Sequence, residues 1–498
     1  MSKKSLQDLP EAFVSNLELT QAVSRELKRG RIRRLASKVY TTNLHDTAEV
    51  IVRRNLWYLV SELVPNGILA DRTALENAPS KDGSVFLITT IKNPIKLPGI
   101  TIRPRVGAKA LDSDRDFIGG LKLCSPARAY LENMRPSRAR KGLVSRTLSR
   151  REIEEYLEEV LQLRGEGELN KLRDEAQRIA EVLGLSKEFV DLSSLIGTLL
   201  GTKNDRVESV RGIARVAGEP FDAKRLELLD QFRVALERTP PVTRIPAVAY
   251  KPDGVVLPFF EAYFSNFIEG TEFEVSEAQE IIFEGKIPSE RPQDAHDILG
   301  TYQVVSDHKI MGYRPRTQTE FIERLQHIHH TIMSSRPDKG PGKFKTVKNR
   351  AGSTEFVSPE LVIGTLRRGF ELSQSITTPF ARAVFTMFLI SEVHPFLDGN
   401  GRAARACMNV ELVAAGETRI IIPTVYRLDY IGGLKALTHN GRPDALVRVL
   451  DFAQRYTGSI DWSSLECSRK VLEVTNAFRD PHEAESLGIH LRIYDGFQ

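Results

Sequence analysis

The chain is poor in cysteine, has no long apolar run and carries little excess charge, and each shortage closes off a class of protein. Its three cysteines, Cys124, Cys407 and Cys467, are odd in number and scattered over 498 residues. That excludes a disulfide framework or a cysteine-based zinc motif and suits free thiols in a reducing compartment. No apolar run approaches the roughly 18 residues needed to span a bilayer. Met1-Ser2-Lys3-Lys4-Ser5 leads straight into polar sequence with no signal-like apolar core. The expectation is a cytoplasmic protein with no membrane partner. A net charge of +5 is modest, so any nucleic-acid contact must come from local clustering. No repeat or low-complexity segment stands out. His327, His329 and His330 lie close together, but only two share a helical face and the spacing is not that of a zinc motif.

What the chain does have is size, with room for about three domains, a hydrophobic content of 41% typical of soluble globular proteins, and one dense polar turn. The segment His394-Pro395-Phe396-Leu397-Asp398-Gly399-Asn400-Gly401-Arg402-Ala403-Ala404-Arg405 follows the apolar stretch Phe380 to Val393 and leads into the helix formers Ala403 to Ala415. It therefore belongs between two helices. Gly399, Asn400 and Gly401 stand where backbone N–H groups lack carbonyl partners and the helix dipole favours an anion, and the glycines allow close approach of a phosphate. Asn400 adds a side-chain donor. Arg402 and Arg405, three apart, can fork onto phosphate oxygens. Asp398 suits Mg²⁺, which nucleotide sites hold with one or two carboxylates plus phosphate oxygens and water. His394 is the nearby group whose ordinary pKa makes it a base near neutrality. Taken singly, these are a helix-capping histidine, a turn aspartate and two solvated arginines. Together they read as a nucleotide-phosphate site.

From His394 to Arg405 the segment resembles the Fic family signature at every specified position: His, Pro, Phe, any residue, an acidic residue, Gly-Asn-Gly-Arg, two residues, Arg. The resemblance implies a helical domain that transfers AMP from ATP to a hydroxyl of a target protein. His394 is then the base, Asp398 the Mg²⁺ ligand and Gly399, Asn400 and Gly401 the phosphate cradle. Arg402 would contact the α- and β-phosphates and Arg405 the γ-phosphate. The related Doc-type kinases carry a bulkier residue and a lysine in this loop, so Gly399 and Gly401 favour AMP transfer over phosphorylation.

Upstream, Ser265-Asn266-Phe267-Ile268-Glu269-Gly270 reads alone as a short helix ending at glycine. It is similar to the inhibitory motif of Fic proteins of the second class. By that resemblance Glu269 would pair with Arg405 and repel the triphosphate, and in some relatives the same glutamate also supports removal of AMP. Pro341 to Arg350 and Thr354 to Pro359 look like two short strands around a polar turn. This resembles the Fic flap, whose edge can add a target segment by strand pairing. Lys345 stands where relatives often have arginine, and an ordinary surface hairpin stays open. Tyr430, in the downstream stretch Ile420 to Tyr430, is a candidate adenine wall or simply a half-buried aromatic.

Near the N-terminus, Arg25, Lys28, Arg29, Arg31, Arg33, Arg34 and Lys38 crowd one segment, with Leu19, Val23 and Leu27 as an apolar stripe. A recognition helix followed by a wing fits. Its cations would meet DNA phosphates and make affinity salt-sensitive, with Arg25, Lys28, Arg31, Arg33 and Arg34 as DNA-binding candidates. A solvated basic hairpin, or a docking surface for the acidic helix carrying Glu152, Glu154, Glu155, Glu158 and Glu159, remains open. Leu17 to Tyr40, Ala70 to Glu76 and Ser125 to Ala129 resemble AbiEi-type antitoxin regulators, which pair an N-terminal winged helix with a further domain.

The expected fold is mainly α. Residues 1–62 read as a winged-helix-like DNA-binding domain, 63–205 as an AbiEi-like mixed α/β middle segment with β-rich Ser84 to Thr90 and Ile100 to Val106, 206–462 as a helical Fic domain with a β-hairpin flap, and 463–498 as a C-terminal tail. Gly201 to Asp205 marks one boundary, and Thr239-Pro240-Pro241 is an internal breaker. The leading expectation is an autoinhibited protein adenylyltransferase using ATP and Mg²⁺. The alternative is a DNA-binding regulator or antitoxin with the Fic part as nucleotide sensor. A target protein and ATP are the expected partners; DNA and a homodimer stay open.

Overall fold

The computed structural model describes residues 10–139, 142–238 and 254–493; the breaker at Thr239-Pro240-Pro241 and the opening Met1 to Ser5 lie outside the described residues. The described residues are mainly helical, as expected, and no helix among them is long and apolar enough to cross a membrane. The chain divides into two compact units, 1–217 and 218–498. The division falls after the helix Val210–Val216 and not at Gly201 to Asp205. The reason is ionic: Arg215 pairs with buried Glu158 at 2.7 Å, and Arg211 donates to Gln162 at 2.7 Å. These contacts tie the helix to the first unit.

In the first unit the helix Thr20–Lys28 leads into a hairpin, Arg33–Ala36 and Val39–Thr41, with Lys38 at φ 63° in its turn. Ala12–Val14 pairs with the second hairpin strand to complete a three-stranded sheet. The apolar stripe is shorter than expected: Val23 is buried, but Leu27 is 40% exposed.

The middle segment holds more sheet than its composition shows. Ile95–Leu97, Ile100–Arg105, Ser84–Ile88, Ile68–Leu69, Lys122–Leu123 and Arg115–Asp116 lie side by side in that order. Ser84–Ile88 and Ile100–Arg105 were expected as strands and run parallel; the very short strands carry no period to read. One buried cluster joins Ala12, Val39 and Ile51 to Val85, Leu87 and Ile102. The expected boundary near residue 62 therefore cuts through a core. Helices Arg150–Arg164, Glu166–Ala180 and Ser186–Leu199 form a second cluster with Tyr130 and Leu131. The first of them opens with a capping box between Ser149 and Glu152.

An ionic network joins the strand Ile100–Arg105 to the helices Asp71–Glu76 and Pro126–Asn133. Arg128 and Asp114, both fully buried at the side chain, pair at 2.5 Å, and Arg128 also meets Glu132 at 3.0 Å. Arg105 links Glu132 to Asp71. Each charge is answered by another.

The second unit is built round the helix Pro379–Val393, which is buried on nearly all sides and so reads as a core helix with no polar face. Proline at its first turn and apolar residues throughout favour that role. Ala223–Arg238, Val362–Gln374 and Asn400–Val413 pack against it. The stretch expected as a tail contributes Val471, Leu472, Ala484 and Leu491 to the same core. The flap is smaller than expected, with strands of only Arg350–Ala351 and Thr354–Glu355. Its first arm is instead fastened to the polar turn, Lys345 N–H donating to the Pro395 carbonyl at 2.9 Å.

Candidate active site

His394 ends the core helix in the left-handed conformation, φ 51° and ψ 59°, a place that glycine or asparagine usually fills. The strain turns the chain sharply toward the next helix start. Its Nδ1 lies 3.3 Å from the Ser391 carbonyl. A carbonyl can only accept, so Nδ1 carries the proton and Nε2 keeps its lone pair. Phe356 stacks on the ring, 3.8 Å between centroids and 6° between planes. Burial pushes the imidazole down to about 4, with the Lys345 charge adding to the effect and the Ser391 carbonyl opposing it. His394 is therefore neutral at physiological pH.

The turn beyond it is closed by its own side chains. Asn400 Oδ1 accepts from Phe396 N–H at 2.8 Å and its Nδ2 donates to the Phe396 carbonyl at 2.9 Å. The expected side-chain donor to phosphate is thus engaged in shaping the loop, which leaves Asn400 its backbone N–H at the helix start. Gly399 caps the helix at φ 71°, and a Cβ there would run into Met333 Sδ at 2.7 Å. His329 buttresses the turn. Its Nδ1 accepts from Gly342 N–H at 2.9 Å, so its Nε2 must donate to the Asp398 carbonyl, also 2.9 Å away. Phe396 stacks on it, 3.6 Å between centroids, and burial pushes it down to about 4. The residue set aside as a metal ligand is a neutral strut.

The two arginines are separated by their partners. Arg402 is buried and pairs with Asp297 at 2.7 Å; the same carboxylate takes Arg336 at 2.7 Å. Asn266 Oδ1 lies 3.4 Å from Arg402. Arg405 is held by the segment Ser265 to Glu269: its Nε donates to Ser265 Oγ at 3.0 Å, and its Nη2 to the Ser265 carbonyl at 2.8 Å and to Glu269 Oε1 at 2.7 Å. Burial works against the charge on Arg405, but Glu269 beside it holds its pKa above the ordinary value. A Cβ built on Gly401 would collide with Glu269 Oε1, so that carboxylate rests on the cradle itself. Glu269 closes the buried helix Val256–Ile268, with Gly270 at φ 91° just beyond.

Asp398 stands at the mouth with its side chain 41% exposed; one oxygen accepts Gly399 N–H at 2.6 Å, and Arg402 lies 3.8 Å away. Among the described residues no group of three or more His, Cys, Asp or Glu is arranged to hold a metal. A cation at Asp398 would need phosphate oxygens and water to complete its shell, which fits Mg²⁺ arriving with a nucleotide.

Tyr430 does not form an adenine wall in this arrangement. It is 1% exposed, its hydroxyl lies 3.3 Å from Met387 Sδ, and it meets Arg405. No ring face is left for a base. Asp297, Arg336, Asn349 and Phe356 join the site without having been singled out. Asn349 lay inside the polar flap segment, but Asp297 sits in an unremarkable amphipathic stretch that gives no signal.

In the first unit Arg25, Lys28, Arg31 and Arg34 are exposed and Arg33 is partly so. Glu26, on the same helix, pairs with Arg29 at 3.1 Å and with Arg31 at 2.6 Å. The acidic helix has other partners: Arg72 meets Glu152 and Arg215 meets Glu158.

The site thus brings together a neutral imidazole, a helix start with glycines on either side of Asn400, and two buried guanidinium groups. Residues 320–412, within the second unit, match the Fic/DOC family. The chain is 24% identical over 216 residues to "Protein adenylyltransferase fic-1" of Caenorhabditis elegans, covering 41% of this chain and 42% of that protein. It is 25% identical over 265 residues to "Protein adenylyltransferase Fic" of Drosophila erecta, covering 50% of each. The chain thus spans about half the length, or less, of these curated relatives. Among solved structures it is similar to Fic-1 (aa134 - 508) from C. elegans, at 19% identity, 65% of this chain, 88% of that one and a TM-score of 0.35.

Proposed function

We propose that the second unit transfers AMP from ATP to a hydroxyl of a target protein and that Glu269 restrains it. The observation that carries this reading is a carboxylate lying on Gly401 and bound to Arg405 at 2.7 Å: the helix start is an anion site, and an internal anion already uses it. His394 Nε2 takes the hydroxyl proton, the oxygen attacks the α-phosphate and pyrophosphate leaves. The backbone N–H groups of Asn400 and Gly401 and the Arg405 guanidinium steady the phosphate charge, while Gly399 N–H holds Asp398. Mg²⁺, with Asp398 as its protein ligand, supplies further charge neutralisation when bound. A nucleotide sensor would need the cradle but not a poised base, so the neutral Nε2 favours transfer.

Glu269 has to leave Arg405 before a γ-phosphate can occupy that place. If the open arrangement makes up about 1% of the population, apparent ATP affinity falls about 100-fold. The test is protein labelling with α-labelled ATP in a cell lysate. Glu269→Gly should label strongly and Glu269→Gly/His394→Ala should not; equal labelling by both would end the transfer reading.

For the first unit we infer a nucleic-acid contact through Arg25, Lys28, Arg33 and Arg34, with Arg31 weakened by Glu26. The supporting observation is that these residues share one helix and its hairpin while the acidic helix is engaged elsewhere. DNA binding across a salt series checks it: affinity should fall steeply with salt, and salt-insensitive or absent binding would reject it.

A further inference from the structure

The end of the core helix poses an accounting problem. Carbonyls in the last turn of a helix and just beyond it have no intrahelical partner, and a non-glycine residue in the left-handed conformation is held there only by its surroundings. Both conditions meet at His394. From Val393 to Phe396 one short piece of the flap arm supplies a donor to every carbonyl, joined at Phe396 by Asn400 Nδ2. Lys345 Nζ lies 3.4 Å from the Val393 carbonyl, and Lys345 N–H donates to Pro395 at 2.9 Å. Asn349 Nδ2 reaches the His394 carbonyl at 3.4 Å and the Phe396 carbonyl at 2.9 Å. Lys345 Nζ then donates to Asn349 Oδ1 at 2.6 Å. An ammonium and two carbonyls fix the amide orientation, since only Oδ1 can accept from the lysine and only Nδ2 can donate to the carbonyls.

Asn349 also stands at the root of the flap hairpin. Its carbonyl accepts Phe356 N–H at 3.3 Å, and the paired strands Arg350–Ala351 and Thr354–Glu355 follow at once. Phe356, its partner across that root, stacks on the His394 ring. The two root residues hold the histidine at opposite ends, one by the backbone and one by the imidazole.

We infer that Asn349, oriented by Lys345, is a positioning residue that holds His394 in its strained backbone conformation and so aims Nε2 at the incoming hydroxyl. The inference rests on the transfer reading. It also makes the flap that would seat a target segment the same element that sets the base, so displacement of the hairpin root disturbs both.

The experiment compares Glu269→Gly with Glu269→Gly/Asn349→Ala and Glu269→Gly/Asn349→Asp, using α-labelled ATP and a fixed lysate across pH. Aspartate keeps the acceptor for Lys345 and removes the donor to the carbonyls. Both substitutions should lower the maximal labelling rate by about 10- to 100-fold, as misplacement of a reacting group does. Half-saturating ATP should stay within about twofold, and the acid limb should move up toward the ordinary histidine value of about 6.5. A full rate in the aspartate variant overturns the proposal, as does a loss that appears only as weaker ATP binding; if the alanine variant does not fold, the aspartate variant decides. Should Glu269→Gly itself label nothing, the transfer reading fails. The clamp is then judged by the NMR titration of His394 in the wild-type background, where an unchanged titration in Asn349→Asp rejects it.

Discussion

Each unit buries several charges, and the two sets differ in what holds them. In the first, Arg128, Asp114, Glu132, Arg105 and Asp71 answer one another in a chain that runs on to Arg146, whose side chain is 31% exposed, with Ser125 N–H also donating to Asp114. In the second, Arg402 is fixed by buried Asp297, whereas its neighbour Arg405 rests on Glu269, whose side chain is 31% exposed. Burial and pairing are common to both sets. What separates the two is place: the Glu269 carboxylate ends one helix and lies against Gly401 in the first turn of another, where a ligand of like charge could replace it. Perturbed charge alone does not discriminate between them.

The comparison can be broken from either side. The largest effect is expected from removing the base: in the Glu269→Gly background, His394→Ala should slow labelling by about 10²–10⁴-fold under single-turnover conditions, with thermal unfolding little changed. Next, Asp114→Ala should destabilise the first unit by about 3 kcal/mol, the low end for breaking a buried pair, because the fully buried Arg128 loses one carboxylate and keeps Glu132. Calorimetry should show the loss, and labelling by the second unit should persist. A silent Asp114→Ala would mean that the network adds no stability to the first unit.

A pH effect follows from His329. Burial lowers it from 6.5 to about 4, so the fold prefers its neutral form. The stability this contributes is fully present above about 6.5 and is lost as pH falls through about 4. The difference is worth about 3 kcal/mol. Acid unfolding of His329→Gln followed by fluorescence should show a shallower decline than wild type over that window; parallel curves would remove His329 as the source. The smallest change is in the guard, where Glu269→Gly should raise labelling by about 100-fold at subsaturating ATP, equivalent to about 2.7 kcal/mol. No increase would place Glu269 with Asp297 as a structural partner.

Much of the site was legible because its chemistry is local. A base, an acidic residue, two glycines and two arginines within one turn constrain each other by spacing, and the structure brings His394, Gly399, Gly401 and Arg405 together with Glu269. The limits were also physical. Asn400 has the same residue type whether its amide serves a phosphate or its own loop, and only the fold shows Phe396 as its partner. Tyr430 was read from an apolar stretch, which cannot say whether a ring faces a cleft or the core. Asp297 and Asn349 act through residues about a hundred and about fifty positions away, and no local pattern encodes such a contact. In the first unit, strands of two or three residues have no period to detect. The core shared by residues 12–64 and 69–123 depends on pairings that sequence spacing does not fix.

Gly401 carries one last implication. Because a methyl group there would meet the Glu269 carboxylate, the smallest side chain in the alphabet is, on the proposed reading of Glu269, the keyhole plate of a lock. Alanine in its place would force the latch ajar while narrowing the opening for any key. Restraint and competence would then change together, and a chain that lost this hydrogen could not drift toward unregulated turnover by that route alone.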